Sequence, residues 1–250
     1  MGVMLRFWKE FILAVGFLTR LAPARIADEE TLGRSIRWFP VVGFCLGIVL
    51  AVPFVLGLGD GFPGFQAWFW LGAAMVLTRG LHWDGWVDLC DAWGSGAGGA
   101  RFWEVLKDSR MGAFGAMGLV MGLAGFLVIL PEIFLRREWG LLIWAPVLGR
   151  SAAVILAWRV RELARPGLAA IFLSAVTKRR AALVAGLALA VGIACVSWSV
   201  LFLAGLVCCA GLFFLSRLAR LRGGVNGDFL GVAIVWGELS VLVGWIVRGA

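Results

Sequence analysis

The chain is poor in charge and in several residue types on which soluble enzymes depend. Only 15% of its 250 residues are Asp, Glu, Lys or Arg, it has a single histidine, and tyrosine is absent. One histidine excludes a metal site built from several imidazoles. No GxxxxGK[ST] or GxSxG motif occurs. The usual sequence signatures of P-loop enzymes and serine hydrolases are therefore missing.

Cysteine is also scarce. The five cysteines are odd in number and show no C-x-x-C spacing. This pattern predicts free thiols, not a disulfide framework or a zinc site.

Long charge-free stretches are the main feature of what remains. Hydrophobic residues make up 62% of the chain, above the usual content of a soluble domain. The charge-free run 181–216 is 36 residues long and would measure about 54 Å as one helix, so we predict a turn near Ser197–Ser199. We predict an all-α polytopic membrane bundle in one domain, residues 1–250, with spans at 39–58, 62–78, 111–130, 139–158, 181–197, 200–216 and 229–247.

The N-terminal stretch 3–20 has a different character. Apolar residues such as Phe7 and Trp8 alternate with Arg6, Lys9 and Glu10. This mixture predicts an amphipathic helix lying in the membrane interface, and an eighth spanning helix is the alternative.

The net charge of +8 indicates orientation in the membrane, not nucleic-acid binding. The loops 20–37, 79–110, 159–180 and 217–228 hold seventeen Lys or Arg residues, whereas the alternate connections hold three. Because basic loops stay on the cytoplasmic side, we predict an inner-membrane protein with these four loops in the cytoplasm.

The segment RGLHWDGWVDLCDAWG, residues 79–94, is the most informative polar island. Asp84, Asp88 and Asp91 are spaced i, i+4 and i+7, which places them on one face of a helix. Carboxylates this close repel one another unless a cation lies between them, and oxygen ligands suit Mg²⁺ or Mn²⁺. We predict that the three bind Mg²⁺; the alternative is a solvated acidic face. His82 is either a base or a hydrogen-bonded structural residue.

The second island is EVLKDSRMG. Glu104 and Asp108 are spaced i, i+4 on a predicted helix and would complete a second cation site; the alternative is surface pairing with Lys107 or Arg101. Lys107 and Arg110 are candidates for neutralising diphosphate oxygens.

The third island is GGVNGD, residues 223–228. Gly223 and Gly224 allow close backbone approach to an anion, and Asn226 and Asp228 offer further oxygen ligands. The alternative is a plain turn with Asp228 as the N-cap of the last helix.

Two charges lie deep inside predicted spans, Arg150 and Glu238. Both are roughly 12–14 Å from the inner face by helical rise, so we predict an ion pair. If they do not meet, Arg150 would instead reach a substrate phosphate.

These islands also carry a resemblance. Six segments, in order, resemble the motifs of the cobalamin synthase (adenosylcobinamide-GDP ribazoletransferase) family: FLTRL, FPVVGFCLG, HWDGWVDLCDAWG, KDSRMGAFG, APVLGR and GGVNGDFLG. Asn226 stands where that family more often has Thr, and Ala22 interrupts its TR-x-P pattern.

The resemblance implies a Mg²⁺-dependent transfer that joins adenosylcobinamide-GDP to α-ribazole or its 5′-phosphate and releases GMP. It assigns Arg20, in FLTRL, to phosphate binding, and it leaves Asp91 or Asp108 to orient or deprotonate the attacking hydroxyl. The implied partners are corrinoid and nucleoside substrates, the lipid bilayer, and a second copy or other cobalamin-assembly enzymes, with no nucleic acid.

Two alternatives from other classes remain. A CDP-alcohol phosphotransferase would catalyse similar chemistry, but its signature requires Ala-Arg where this chain has Asp88 and Leu89. A transporter would place its ionisable groups near the midplane of the membrane, whereas these acids fall at one edge.

Overall fold

The computed structural model describes residues 2–23 and 25–249, and that part of the chain forms helices and no strand. Its α-helices are α1 Gly2–Leu18, α2 Glu29–Ser35, α3 Phe39–Val55, α4 Pro63–Leu77, α5 Leu81–Gly94, α6 Gly99–Lys107, α7 Ala113–Leu135, α8 Trp139–Arg159, α9 Leu168–Ala175, α10 Lys178–Cys195, α11 Trp198–Arg222 and α12 Gly227–Val247. Two short 3₁₀ turns, Ile36–Trp38 and Arg161–Leu163, connect them. The predicted all-α class is confirmed.

Each of the seven predicted spans coincides with a helix, and the predicted break near Ser197 separates α10 from α11. Five described segments are long and apolar enough to cross a membrane: Glu29–Val55, α7, α8, α11 and α12. The other two are α4, with 15 residues or about 22 Å, and α10, whose first turn is Lys-Arg-Arg. The number of seven therefore stays a prediction.

The centre of the bundle is α8 packed between α3 and α12. Glycines permit these contacts: a Cβ on Gly237 would lie 2.7 Å from the Gly149 Cα, and one on Gly47 would lie 2.6 Å from the Ile143 carbonyl oxygen. Backbones approach this closely only where side chains are absent, as is typical of membrane helices.

The helix α1 lies against α2 and α3, and it buries Glu10 on the same side as the apolar residues Leu13, Ala14 and Leu18. Glu10 is fully buried and pairs with Arg6, Arg34 and Arg37. Leu5, Phe7 and Trp8 are exposed. The helix is confirmed, and its position in the membrane interface stays a prediction.

The turn between α4 and α5 fixes the direction of α5. Arg79 and Gly80 both have positive φ, 60° and 66°. The Arg79 guanidinium donates hydrogen bonds to the carbonyls of Gly16 (2.7 Å) and Thr19 (2.6 Å) at the end of α1. These bonds satisfy carbonyls that the helix end leaves free, and they hold a backbone conformation that arginine rarely adopts.

Candidate functional site

The helix α5 carries the three predicted carboxylates, and their burial increases from the start of the helix to its end. Asp84 is exposed, Asp88 is half-buried and Asp91 is 8% exposed. The helix brings all three to one face, as their spacing predicts.

Asp91 connects α5 to the start of α7. Its two carboxylate oxygens accept hydrogen bonds from the backbone N–H groups of Gly112 and Gly115, each at 2.7 Å. The first amides of a helix have no partner inside that helix, so Asp91 supplies one for two of them. A Cβ on Gly112 would lie 2.5 Å from the Asp91 Oδ1, which explains the glycine there. Asp91, predicted as a catalytic residue and a metal ligand, thus anchors the KDSRMGAFG segment against α5.

Asp228 approaches the same acidic face from α12. Its Cα would lie 2.8 Å from a Cβ on Gly85, so only glycine at position 85 lets the two helices come this close. The Asn226 amide donates a hydrogen bond to the Asp228 carboxylate at 2.7 Å. Asn226, not Asp228, is the N-cap residue of α12, and Asp228 lies in the first turn. The N-cap alternative for Asp228 is therefore wrong.

The meeting of these carboxylates has an electrostatic consequence. Burial raises the pKa of Asp88 to about 7, and the negative charges of Asp228, Asp84 and Asp91 add to the shift. A bound cation would relieve this repulsion.

The oxygens present suit a hard cation such as Mg²⁺. Asn226 Oδ1 is buried without a hydrogen-bond donor among the described residues, beside Asp228. Within residues 2–23 and 25–249, no three His, Cys, Asp or Glu side chains converge tightly enough to hold a metal by themselves. Mg²⁺ commonly binds through one or two carboxylates and completes its shell with water and substrate phosphate. The oxygens of Asp88, Asp228 and Asn226 fit this open type of Mg²⁺ site better than a site whose ligands all come from the protein.

The second island differs from its prediction. Helix α6 ends at Lys107, and Asp108 follows it in an extended conformation, so Glu104 and Asp108 do not share a helix. The Asp108 carboxylate accepts hydrogen bonds from the backbone N–H (3.1 Å) and the guanidinium of Arg110, a local turn that competes with continuing the helix. These bonds lower the pKa of Asp108 to about 2. Exposed Glu104 pairs with Arg101 at 2.9 Å. The surface-pair alternative describes these acids better than a second cation site.

A basic cavity beside the third island was missed by the sequence analysis. Lys107, Arg165 and Arg222 line a space of about 420 Å³, together with Trp103 and Glu104. The Arg165 guanidinium carbon lies 4.2 Å from the centre of the Trp103 ring, within range of a cation–π contact. The sequence predicts that Lys107 binds phosphate. Arg165 and Arg222 are far from Lys107 in the sequence, and only the tertiary fold places them in the same cavity.

The fold brings these arginines together by pairing two distant loops. Ala164 and Val225 form an isolated parallel bridge, and the Val225 N–H donates to the Leu163 carbonyl at 2.9 Å. Gly224 is buried beneath this contact, since a Cβ there would lie 2.7 Å from Arg165 Cδ. Gly223 ends α11 with φ of 64°. A helix end accounts for Gly223 and close packing for Gly224, and contact of this turn with an anion stays a prediction.

Comparison with known proteins identifies the family of this chain. The profile of the cobalamin-5-phosphate synthase family matches residues 10–246. The chain belongs to the cobalamin-5-phosphate synthase family. An adenosylcobinamide-GDP ribazoletransferase of Nitratidesulfovibrio vulgaris (strain Miyazaki F) is 45% identical over 240 residues, covering 96% of each chain. One from Klebsiella pneumoniae (strain 342) is 35% identical over 244 residues, 94% of this chain and 98% of its own. No solved structure matches.

The resemblance to the cobalamin-5-phosphate synthase family, made from six short motifs, is thus confirmed. Arg20 donates a hydrogen bond from Nε to the Val76 carbonyl at 2.9 Å and is otherwise exposed. This contact ties the end of α1 to α4, near α5.

Arg150 and His82 lie behind the acidic face. Arg150 is 1% exposed and forms an ion pair with Glu238, so the predicted contact is confirmed. Arg150 was expected to reach a substrate phosphate only if it did not meet Glu238, so the ion pair argues against that role. His82 is 5% exposed and lines a cavity of about 10 Å³ with these two residues. Burial, followed by the charge of Arg150, holds the pKa of His82 well below its usual range. This burial argues against a base, but His82 Nε2 has no hydrogen-bond partner among the described residues, so the hydrogen-bonded alternative is not supported either.

Proposed function

We propose that this chain is an adenosylcobinamide-GDP ribazoletransferase, the enzyme of the last assembly step of cobalamin biosynthesis. It joins adenosylcobinamide-GDP to α-ribazole, or to α-ribazole 5′-phosphate, and gives adenosylcobalamin, or its 5′-phosphate, with GMP. The observation that carries the proposal is identity of 45% across 96% of the chain with a relative of that name. Of the alternatives, a phosphotransferase of the CDP-alcohol type would need Ala-Arg where this chain has Asp88 and Leu89. The acids of α5 and of the start of α12 do not resemble a transporter's midplane site.

The reaction forms a bond between a ribazole hydroxyl and the phosphorus nearest the cobinamide, and it breaks that phosphorus's bond to the GMP oxygen. The carboxylates of Asp88 and Asp228 are the proposed protein ligands for Mg²⁺, with the negative charge of Asp84 beside them and with water and substrate phosphate completing the shell. Bound there, the cation would neutralise diphosphate oxygens and stabilise the departing GMP.

The basic side chains have a complementary role in this proposal. Lys107, Arg165 and Arg222 surround a cavity large enough for a phosphate-bearing group. Arg is suited to two-pronged contact with phosphate oxygens and Lys to a point contact. We assign this cavity to a phosphate of one substrate, with Trp103 holding Arg165 in position.

The site is proposed to face the cytoplasm from the inner membrane. The bias of seventeen basic residues against three in alternate loops supports this orientation. Asp228 at the start of α12 packs against Gly85 of α5, and Gly112 at the start of α7 bonds Asp91. Val225, just before α12, pairs with Ala164, so the proposed site lies at one end of the bundle. Association with a second copy or with other cobalamin-assembly enzymes stays a proposal.

The test is turnover by purified protein in detergent. Adenosylcobinamide-GDP and α-ribazole, or its 5′-phosphate, are supplied, and corrinoid product and GMP are followed by mass spectrometry. We expect activity that EDTA abolishes and Mg²⁺ restores. Asp88→Asn and Asp228→Asn should each lower kcat roughly 100-fold or more, about 2.7 kcal/mol of barrier. Asp60→Asn, an exposed acid that pairs with Arg137 at 3.4 Å, is the matched control and should keep the wild-type rate.

The outcomes separate the two parts of the proposal. Failure to form GMP and joined corrinoid under any metal condition would reject the activity. Normal activity in both Asp88→Asn and Asp228→Asn would reject the cation site and leave the activity standing.

A further inference from the structure

A second basic cavity, of about 600 Å³, lies apart from the proposed catalytic site. It is formed by the exposed side of α1, the 3₁₀ turn Ile36–Trp38, the start of α3 and the first three turns of α10. Its walls combine two kinds of surface. Arg37, Arg179 and Arg180 lie at one end, and apolar residues of α3 and α10 line the rest.

The basic end holds more positive charge than its neighbours neutralise. Arg37 pairs with Glu10, which is shared with Arg6 and Arg34. Glu30 also pairs with Arg6 and Arg34, so two carboxylates face these three arginines before Arg179 and Arg180 are counted. The positive charges of Arg37, Arg34 and Arg6 disfavour the charged form of Arg180, and the negative charge of Glu10 favours it. Arg179 is exposed and forms no ion pair with the described residues. An anion in the cavity would balance this excess.

The helix dipole adds to the imbalance. Lys178, Arg179 and Arg180 form the first turn of α10, where unpaired N–H groups favour negative charge and disfavour cations. Thr177 accepts a hydrogen bond from the Arg180 N–H at 3.2 Å, which satisfies one of these amides. Three successive basic residues at this end of a helix lower its stability unless an anion is bound.

The rest of the cavity is apolar and faces outward. Leu183 is 65% exposed and Leu187 is 37% exposed. Leu187 is seven residues after Arg180, or roughly 10 Å farther along the helix axis. Val41 of α3 and the rings of Phe7 and Trp38 complete this wall. A ligand that fills the cavity therefore needs an anionic head group and a hydrocarbon chain that extends about 10 Å from it.

We propose that this cavity binds an anionic phospholipid of the surrounding bilayer, with its phosphate on Arg37, Arg179 and Arg180 and an acyl chain along Leu183 and Leu187. Basic pockets between membrane helices at the cytoplasmic level bind such head groups. A free phosphate or nucleotide would match the arginines and leave the apolar wall exposed to water.

The experiment measures lipid binding to the detergent-purified full chain by native mass spectrometry and by thermal shift. The probes are phosphatidylglycerol, phosphatidylcholine of the same acyl chains, and inorganic phosphate. We expect phosphatidylglycerol to bind at least tenfold more tightly than phosphatidylcholine and to raise Tm, with no shift from phosphate at the same concentration.

Charge reversal at Arg179 is the decisive variant. Arg179→Glu places a carboxylate in the first turn of α10, where the dipole favours it, so folding without lipid should be unimpaired. It should weaken phosphatidylglycerol binding at least tenfold. Arg217→Glu, which reverses an exposed arginine on α11, is the control and should leave that affinity unchanged.

Three results would overturn the proposal. One is equal affinity for the two lipids, and another is undiminished binding of phosphatidylglycerol by Arg179→Glu. The third is full displacement of the lipid by inorganic phosphate, which would indicate a small-anion site. If Arg179→Glu proves unstable, Leu187→Ser tests the same site through its apolar wall. It should reduce the affinity for phosphatidylglycerol, and undiminished affinity would overturn the proposal.

Discussion

The ion pair between Arg150 and Glu238 gives a quantitative test of how the bundle is held together. Arg150 projects from the middle of α8 and Glu238 from the middle of α12, and their side chains are 1% and 14% exposed. We expect Glu238→Gln to destabilise the protein more than Arg150→Met. A stranded carboxylate can neutralise itself by taking up a proton, whereas a stranded guanidinium stays charged.

The magnitude follows from the burial. Removing one partner of a buried pair typically costs 3–5 kcal/mol, because the other charge is left without compensation. At roughly 2–4 °C per kcal/mol for a chain of this size, Glu238→Gln should lower Tm by about 6–20 °C. The double variant Arg150→Met with Glu238→Gln leaves no unpaired charge. It should recover about 2–3 kcal/mol relative to the sum of the single effects.

Thermal unfolding in detergent of the wild type, both single variants and the double variant measures this coupling. Arg137→Met and Asp60→Asn form the matched control cycle, because that pair is exposed on both sides, 69% and 52%. Exposed pairs contribute under about 1 kcal/mol, so this cycle should show little coupling. Strictly additive effects in the Arg150–Glu238 cycle would refute the reasoning.

Three further outcomes are expected. Asp91→Asn should lose both activity and about 1–3 kcal/mol of stability, since one of the two α7 amides loses its acceptor; stability equal to that of the wild type would argue against this role. Gly85→Ala should lower kcat at least tenfold by separating α5 from α12, whereas Gly64→Ala, with open space around it, should not; equal rates would contradict the close approach. Asn226→Cys in a cysteine-free background should react with an impermeant maleimide in inside-out vesicles alone, and labelling from the outer side would overturn the orientation.

Much of this molecule follows from local pattern. The run 181–216 is too long for one span, and the chain turns where two serines interrupt it. Asp84, Asp88 and Asp91 share a face because i, i+4 and i+7 do so on any helix. Arg150 and Glu238 were predicted to pair from matched depths, since a lone charge in an apolar bundle is costly.

What the sequence did not reveal depends on contacts between distant segments. The bonds from Gly112 and Gly115 to Asp91 come from another helix, and no local signal marks them. Arg165 reaches the basic cavity because Ala164 pairs with Val225, sixty-one positions away. Asp108 does not continue the predicted helix, because its carboxylate accepts a hydrogen bond from the Arg110 N–H two residues later. The i, i+4 spacing of Glu104 and Asp108 gives no sign of this competing local turn.

The hydrogen bonds between Asp91 and the start of α7 also make the proposed site sensitive to the bilayer. Helix α7 has 23 residues and is about 34 Å long, slightly more than a typical hydrocarbon thickness. Such a helix adapts to a thinner bilayer by tilting, and a tilt moves its N-terminal amides. Because both Asp91 oxygens hold those amides, the tilt is transmitted to α5. We therefore expect the acyl-chain length of the host membrane to affect how closely the carboxylates of α5 face Asp228.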